Sequence, residues 1–179
     1  MANFMELAPR AQRQIIRRME PLEPPALHQA QAAYGWLELG NVEEAFAELQ
    51  RLPEELQLLP AVQAVRLDCL MAAKDWNAAV KLAQVLCGQW AEEPGLWLHH
   101  AYAARRCAGG SIEAAYELLA PCVERFPEEW LIPYNVACYL CQMERLDEAR
   151  AMLEMTRAKG GDRVDAMAKD DEDLAPLNL

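Results

Sequence analysis

Apolar positions recur along this chain at intervals of three and four, one face of an α-helix, in stretches broken by short polar or glycine-containing turns. Four stretches share a phrase: NVEEAFAELQ from Asn41, DWNAAVKLAQ from Asp75, SIEAAYELLA from Ser111 and RLDEARAMLE from Arg145. Superposed, they place Ala45, Ala79, Ala115 and Ala149 at one equivalent position, 34, 36 and 34 residues apart. A large or β-branched residue stands three before each alanine: Val42, Trp76, Ile112 and Leu146. An apolar or small one stands four after it: Leu49, Ala83, Leu119 and Leu153. Each phrase therefore predicts an amphipathic helix with one buried stripe.

Upstream of each phrase lies another helical stretch: ALHQAQAAYGWLELG, PAVQAVRLDCLMAAK, PGLWLHHAYAARRCAGG and WLIPYNVACYLCQME. Prolines mark their starts or the loops before them, at Pro24 and Pro25, Pro60, Pro94 and Pro127. Proline suits a helix start because its missing N–H has no intrahelical partner there. The unit is thus helix, tight turn, helix, four times over.

A period of about 34 residues in this form resembles the tetratricopeptide repeat. In that family a small residue at the eighth position of the first helix nests against an alanine of the second. The equivalent residues here are Ala33, Leu67, Ala101 and Ala137, with Leu67 the departure. The family's favoured early tryptophan occurs only as Trp97, and its closing proline in register only as Pro127. The resemblance covers about residues 25–158. It implies an all-α, right-handed superhelical solenoid of antiparallel helical hairpins, with repeats over roughly 26–59, 60–93, 94–129 and 130–158.

Terminal repeats leave an apolar face to cover, so capping helices are expected at both ends. Residues 1–24 would carry one over 8–20. Residues 159–179 would carry a short helix over Arg163–Lys169, then an acidic extended tail. Two irregularities are expected in the third repeat. Extra residues at Gly109-Gly110 lengthen its turn, and Pro121 kinks or breaks its second helix.

Composition narrows the partners. With 53% hydrophobic and 25% charged residues the chain is not of disordered type, and its alanine and leucine favour helices over sheets. A net charge of −11 repels phosphate backbones and anionic membrane surfaces, so no nucleic acid is expected as ligand. No apolar run reaches the roughly 18 residues of a membrane span, so no membrane insertion is expected. The first twenty residues carry Arg10, Arg13, Arg17 and Arg18 but no signal-peptide core. Six cysteines (Cys69, Cys87, Cys107, Cys122, Cys138, Cys141) fall inside helical patterns, which predicts reduced thiols in a cytoplasmic protein.

Candidate chemistry is thin. Cys138 and Cys141 have C-x-x-C spacing but sit mid-helix, without the second ligand pair of a zinc site or the strand–helix setting of a redox pair. His99 and His100 are sequence neighbours and point about 100° apart on a helix, so they cannot share a metal; one should pack and one face the groove. Paired carboxylates such as Glu43-Glu44 and Asp170-Asp171 read as solvated charge. No phosphate loop, nucleophile elbow or metalloprotease motif occurs. No cofactor, no metal and no enzymatic activity are expected.

The resemblance implies that the first helix of each repeat lines a concave groove. By register this wall includes Tyr34, Leu98, His99, Tyr102, Arg105, Arg106, Tyr134, Asn135 and Cys138. Family members that grip acidic chaperone tails use a two-carboxylate clamp, whose lysine and asparagine positions hold Ala30 and Tyr34 here. That activity is not expected. The implied function is a non-enzymatic protein–protein interaction module or scaffold, holding a peptide or helix of another protein with its acidic part near Tyr102, Arg105 and Arg106. Two alternatives stay open: the tyrosines pack against neighbouring helices, and the arginines pair with Glu113 or Glu117. A different function fits the size, charge and repeat number without a residue motif: a small acidic chaperone for a type III secretion-like bacterial client.

Overall fold

The computed structural model describes residues 22–178, and the regular structure among them is entirely helical. The elements are α1 (Ala26–Glu38), α2 (Val42–Gln50), α3 (Glu54–Gln57), α4 (Pro60–Ala72), α5 (Trp76–Gln89), α6 (Pro94–Ala104), α7 (Ile112–Leu119) and α8 (Cys122–Arg125). They continue with α9 (Leu131–Gln142), α10 (Leu146–Gly160), α11 (Asp162–Lys169) and a 3-10 helix (Glu172–Leu177). Pairs α1–α2, α4–α5, α6–α7 and α9–α10 form hairpins, and each second helix also packs against the first helix of the next pair. None of these helices is long and apolar enough to cross a membrane. The capping helix expected over residues 8–20 lies outside the described residues.

The repeated phrases begin where they do because their first residue caps a helix. Asn41 accepts a hydrogen bond from the Glu44 amide at 3.2 Å, Asp75 from Ala78 at 3.1 Å, and Ser111 from Ala114 at 3.1 Å. Each satisfies one of the amides that a helix start leaves without an intrahelical partner. Arg145 has no such acceptor, and its guanidinium binds the Glu148 carboxylate instead.

The turn before the cap is equally repetitive. Asn41 donates its amide to Trp36 O, Asp75 to Leu70 O and Arg145 to Leu140 O, at 2.9, 3.0 and 2.9 Å. The residue before each, Gly40, Lys74 or Glu144, is left-handed with φ of 75, 57 and 60°. This is the Schellman closure of a helix C-terminus, reproduced three times in one register. The third hairpin departs as its sequence predicts. Helix α6 ends at Ala104, Gly109 takes the positive φ, and the Ala108 amide donates to Asn77 of α5 at 2.8 Å. Pro121 separates α7 from the short α8.

Small residues set the helix spacing. Ala45, Ala79, Ala115 and Ala149 are all 0% exposed, as are Ala33, Ala101 and Ala137, and Leu67, the large residue of that set, is buried too. An alanine stripe lets neighbouring axes approach closely, so these sites tolerate no added volume. Two apolar clusters result, one spanning Leu22 to Ala103 and one spanning Leu98 to Leu177, with Trp97 packed against both.

The end of the chain differs from expectation. Helix α11 forms as anticipated, but the acidic tail is not extended. Residues Glu172–Leu177 make a 3-10 turn packed against α9, with Leu174 and Leu177 buried. The apolar pair at i and i+3 gives the acidic stretch something to bury. Asp171 starts the turn by accepting the Asp173 amide at 3.0 Å.

Candidate functional site

Arg105, just past α6, and side chains of α9 meet residues 171–177 through specific polar contacts. Tyr134 on α9 donates its hydroxyl to Asp171 Oδ2 at 2.9 Å, and Cys138, one turn on, places Sγ 3.7 Å from the same oxygen. Gln142, a further turn along, donates Nε2 to the Asp173 carbonyl at 3.1 Å. From the end of α6, Arg105 donates Nη1 to Asp173 Oδ2 at 2.7 Å and Nη2 to Oδ1 at 3.2 Å. Asp171 is buried, so Asp170-Asp171 is not a pair of solvated charges: only Asp170 is exposed.

The electrostatics follow from burial beside carboxylates. Burial foremost, then the Asp171 charge, pushes the Cys138 thiol well above its ordinary range. Burial also raises Tyr134, with Cys138 and Asp171 adding to it. Both groups therefore stay protonated and available as donors to Asp171. Arg105 is held more firmly charged, chiefly by its hydrogen bonds to Asp173. Burial raises the Cys141 thiol to about 11.

Arg105 and Arg106 do not form one basic spot. Helix α6 stops at Ala104, and the two side chains diverge. Arg105 turns towards Asp173, its guanidinium carbon 5.9 Å from the Tyr139 ring centroid. Arg106 lies over the Tyr102 ring at 3.5 Å, 5.7 Å from the Trp76 ring, and donates to Tyr102 O at 3.1 Å. Tyr102 and Trp76 meet edge-on at 5.7 Å. The guanidinium of Arg105 is thus paired within the chain, with Asp173 rather than Glu113 or Glu117.

Tyr34 and His99 belong to a second set, centred on Asp68 of α4. Tyr34 donates to Asp68 Oδ2 at 2.7 Å, and His99 Nε2 lies 3.1 Å from Asp68 Oδ1. The other ring nitrogen of His99 is 2.7 Å from Gly95 O. With oxygen acceptors at both nitrogens the ring is best satisfied as imidazolium. Burial opposes that charge, but the hydrogen bond and the charge of Asp68 outweigh it and raise the His99 pKa. His100 is also buried, and burial lowers its pKa. The expectation that one histidine faces the groove is therefore corrected: both are buried, as are Leu96, Leu98, Ala101 and Ala103 around the same helix, so α6 is covered on most sides.

Leu98 is a core residue of the second apolar cluster, and Asn135 bonds back to Leu131 O at 2.8 Å. The residues that the sequence does not single out are Asp173, Leu174 and Leu177, and it reads Asp171 as solvated charge. Leucines three apart within an acidic stretch were the available signal for these four. Among the described residues no group of three or more His, Cys, Asp or Glu is arranged to hold a metal ion. The surface can recognise carboxylates through Arg105, Tyr134 and Cys138, main chain through Gln142, and apolar side chains on α9. Compared with known proteins, the chain matches no protein-family model and no curated protein.

Proposed function

We propose that the chain is a non-enzymatic interaction module of the tetratricopeptide type, whose first helices form a wall for a short segment of another protein. The repeated hairpins, caps and turn closures support the repeat assignment, since helix pairs of this kind stack with their neighbours and leave one continuous face to partners. One observation carries the binding role. A short segment, residues 171–177, already lies against α9, held by Arg105 and by side chains of α9 at positions that the repeat register assigns to the groove.

Photo-crosslinking in the native host tests the assignment. A photoreactive residue is placed at Gln31 or Gln142, exposed on first helices, or at Glu43, Lys81 or Glu117, exposed on second helices. Partner adducts should form from Gln31 and Gln142 and be rare from the other three. Adducts confined to the second helices would overturn the groove assignment.

A further inference from the structure

The contacts under residues 171–177 are those of a recognition site, beyond what covering a hydrophobic end requires. A cap needs only apolar residues against α9, which Leu174 and Leu177 supply. The structure adds a two-pronged arginine–carboxylate contact reaching back to the third hairpin, and two neutral donors aimed at one buried carboxylate. It also adds a side-chain amide that reads the main chain of Asp173. The segment is weakly self-supporting. It is a 3-10 helix of only six residues with Pro176 inside, and the described hydrogen bonds that tie it to Arg105 and α9 come from side chains on those elements.

From this geometry we infer that residues 171–177 are a built-in occupant of the wall. The partner segment is then an acidic peptide of the same chemistry: two aspartates two residues apart, a leucine directly after the second, and another leucine three further on. Such a peptide binds by displacing the chain's own end. The inference rests on the interaction-module reading and adds the chemistry of the partner and the competition that controls access. Arginine selects the second carboxylate by its fork geometry, and the buried donors select the first. The rest of the chain is strongly acidic, with a net charge of −11 overall, so a carboxylate segment that does not meet these donors is repelled.

The probe is a labelled synthetic peptide of residues 168–179, AKDDEDLAPLNL, titrated into the full chain. Wild type should bind it weakly, because the tethered copy competes at high effective concentration. A full-length variant carrying Asp173→Lys and Leu174→Ser should bind it at least about tenfold more tightly. Adding Arg105→Ala to that variant should remove most of the gain. A folded variant that binds no more tightly than wild type, or binding that ignores Arg105→Ala, would sink the inference.

Hydrogen exchange on the unaltered chain gives a second readout that no folding failure can spoil. Amides of 172–178 should exchange through local opening while those of α9 stay protected. Exchange of that segment only with global unfolding would show it to be a fixed part of the core. A partner that crosslinks from Gln31 but is indifferent to the state of the tail would defeat this inference and leave the functional reading standing.

Discussion

Arg105, just past the end of α6, and Asp173, 68 residues further on, are joined by two hydrogen bonds of 2.7 and 3.2 Å. Their side chains are only 17% and 16% exposed, so water screens the pair less than it would a surface contact. A double-mutant cycle with Arg105→Ala and Asp173→Ala, read by urea denaturation, should return a coupling of about 1–3 kcal/mol. Arg105→Lys should recover only part of it, since an ammonium cannot present the planar fork. Additive single losses would mean that the pair does not fasten the end of the chain.

Ala79 and Ala115 have no exposed surface and lie where α5 and α7 meet neighbouring helices. Leucine at either site should overpack the contact and cost roughly 1–3 kcal/mol. Chemical denaturation compared with wild type checks this. A midpoint unchanged in both variants would contradict the close approach of these helices.

Gly110 and Gly35 should respond in opposite directions to alanine. A Cβ at Gly110 would collide with Ala104 O and stand 3.0 Å from Cys107 O, both backbone atoms that cannot move without reopening the third turn. Gly35 lies inside α1 with nothing within 4 Å of its missing Cβ. Gly35→Ala should stabilise by about 0.5–1 kcal/mol through helix propensity. Gly110→Ala should destabilise, by more than about 1 kcal/mol. Paired thermal melts would show shifts of opposite sign.

The hairpins were legible in the sequence because local rules and packing agree in them. Asn41, Asp75 and Ser111 are good caps, the alanine register matches the contacts, and Pro121 breaks a helix as its missing N–H requires. The wall was less legible for a physical reason: periodicity gives the face of a helix but not what covers it. Register puts Tyr134 and Cys138 on an open groove, while the decisive contact comes from Asp171, which composition alone marks as solvated. Helical spacing groups Arg105 with Arg106, but α6 ends at Ala104 and the two part. Register places His99 on the groove, but the contact that fixes it comes from Asp68 on the preceding hairpin.

His99 sets the sign of one pH effect. Its pKa in the folded chain is raised above the ordinary value of 6.5, so between that value and the folded pKa the native state holds more protons than the unfolded state. The stability it contributes is therefore complete below about 6.5 and declines as pH rises through the folded pKa. His99→Gln should cost more stability at pH 5.5 than at pH 8.5, measured as the difference in urea midpoint from wild type. His100, lowered by burial, acts with the opposite sign but is present in both chains and cancels. A cost that grows towards alkaline pH would mean that the imidazole facing Asp68 is neutral.

Thiol labelling should follow the end of the chain as it lifts from α9. Cys138 and Cys141 lie buried on that helix, and Cys138 is 3.7 Å from Asp171. Cys69 and Cys87 are buried in α4 and α5, in the other apolar cluster. Burial raises Cys69 and Cys87 to about 12, so neither offers much thiolate in the native state. The thiolate is the reactive species, and all four sites should react slowly, after the half-exposed Cys107. Asp173→Lys removes the Arg105 contact and sets two cations face to face. If the end of the chain opens as a unit, this variant should accelerate labelling of Cys138 and Cys141 by about tenfold or more, equivalent to ~1.4 kcal/mol of lost docking, while Cys69 and Cys87 keep their wild-type rates. Site-resolved mass spectrometry of pulse-labelled protein distinguishes the outcomes. Equal acceleration at all four cysteines would mean that residues 171–177 open only when the helical hairpins themselves unfold.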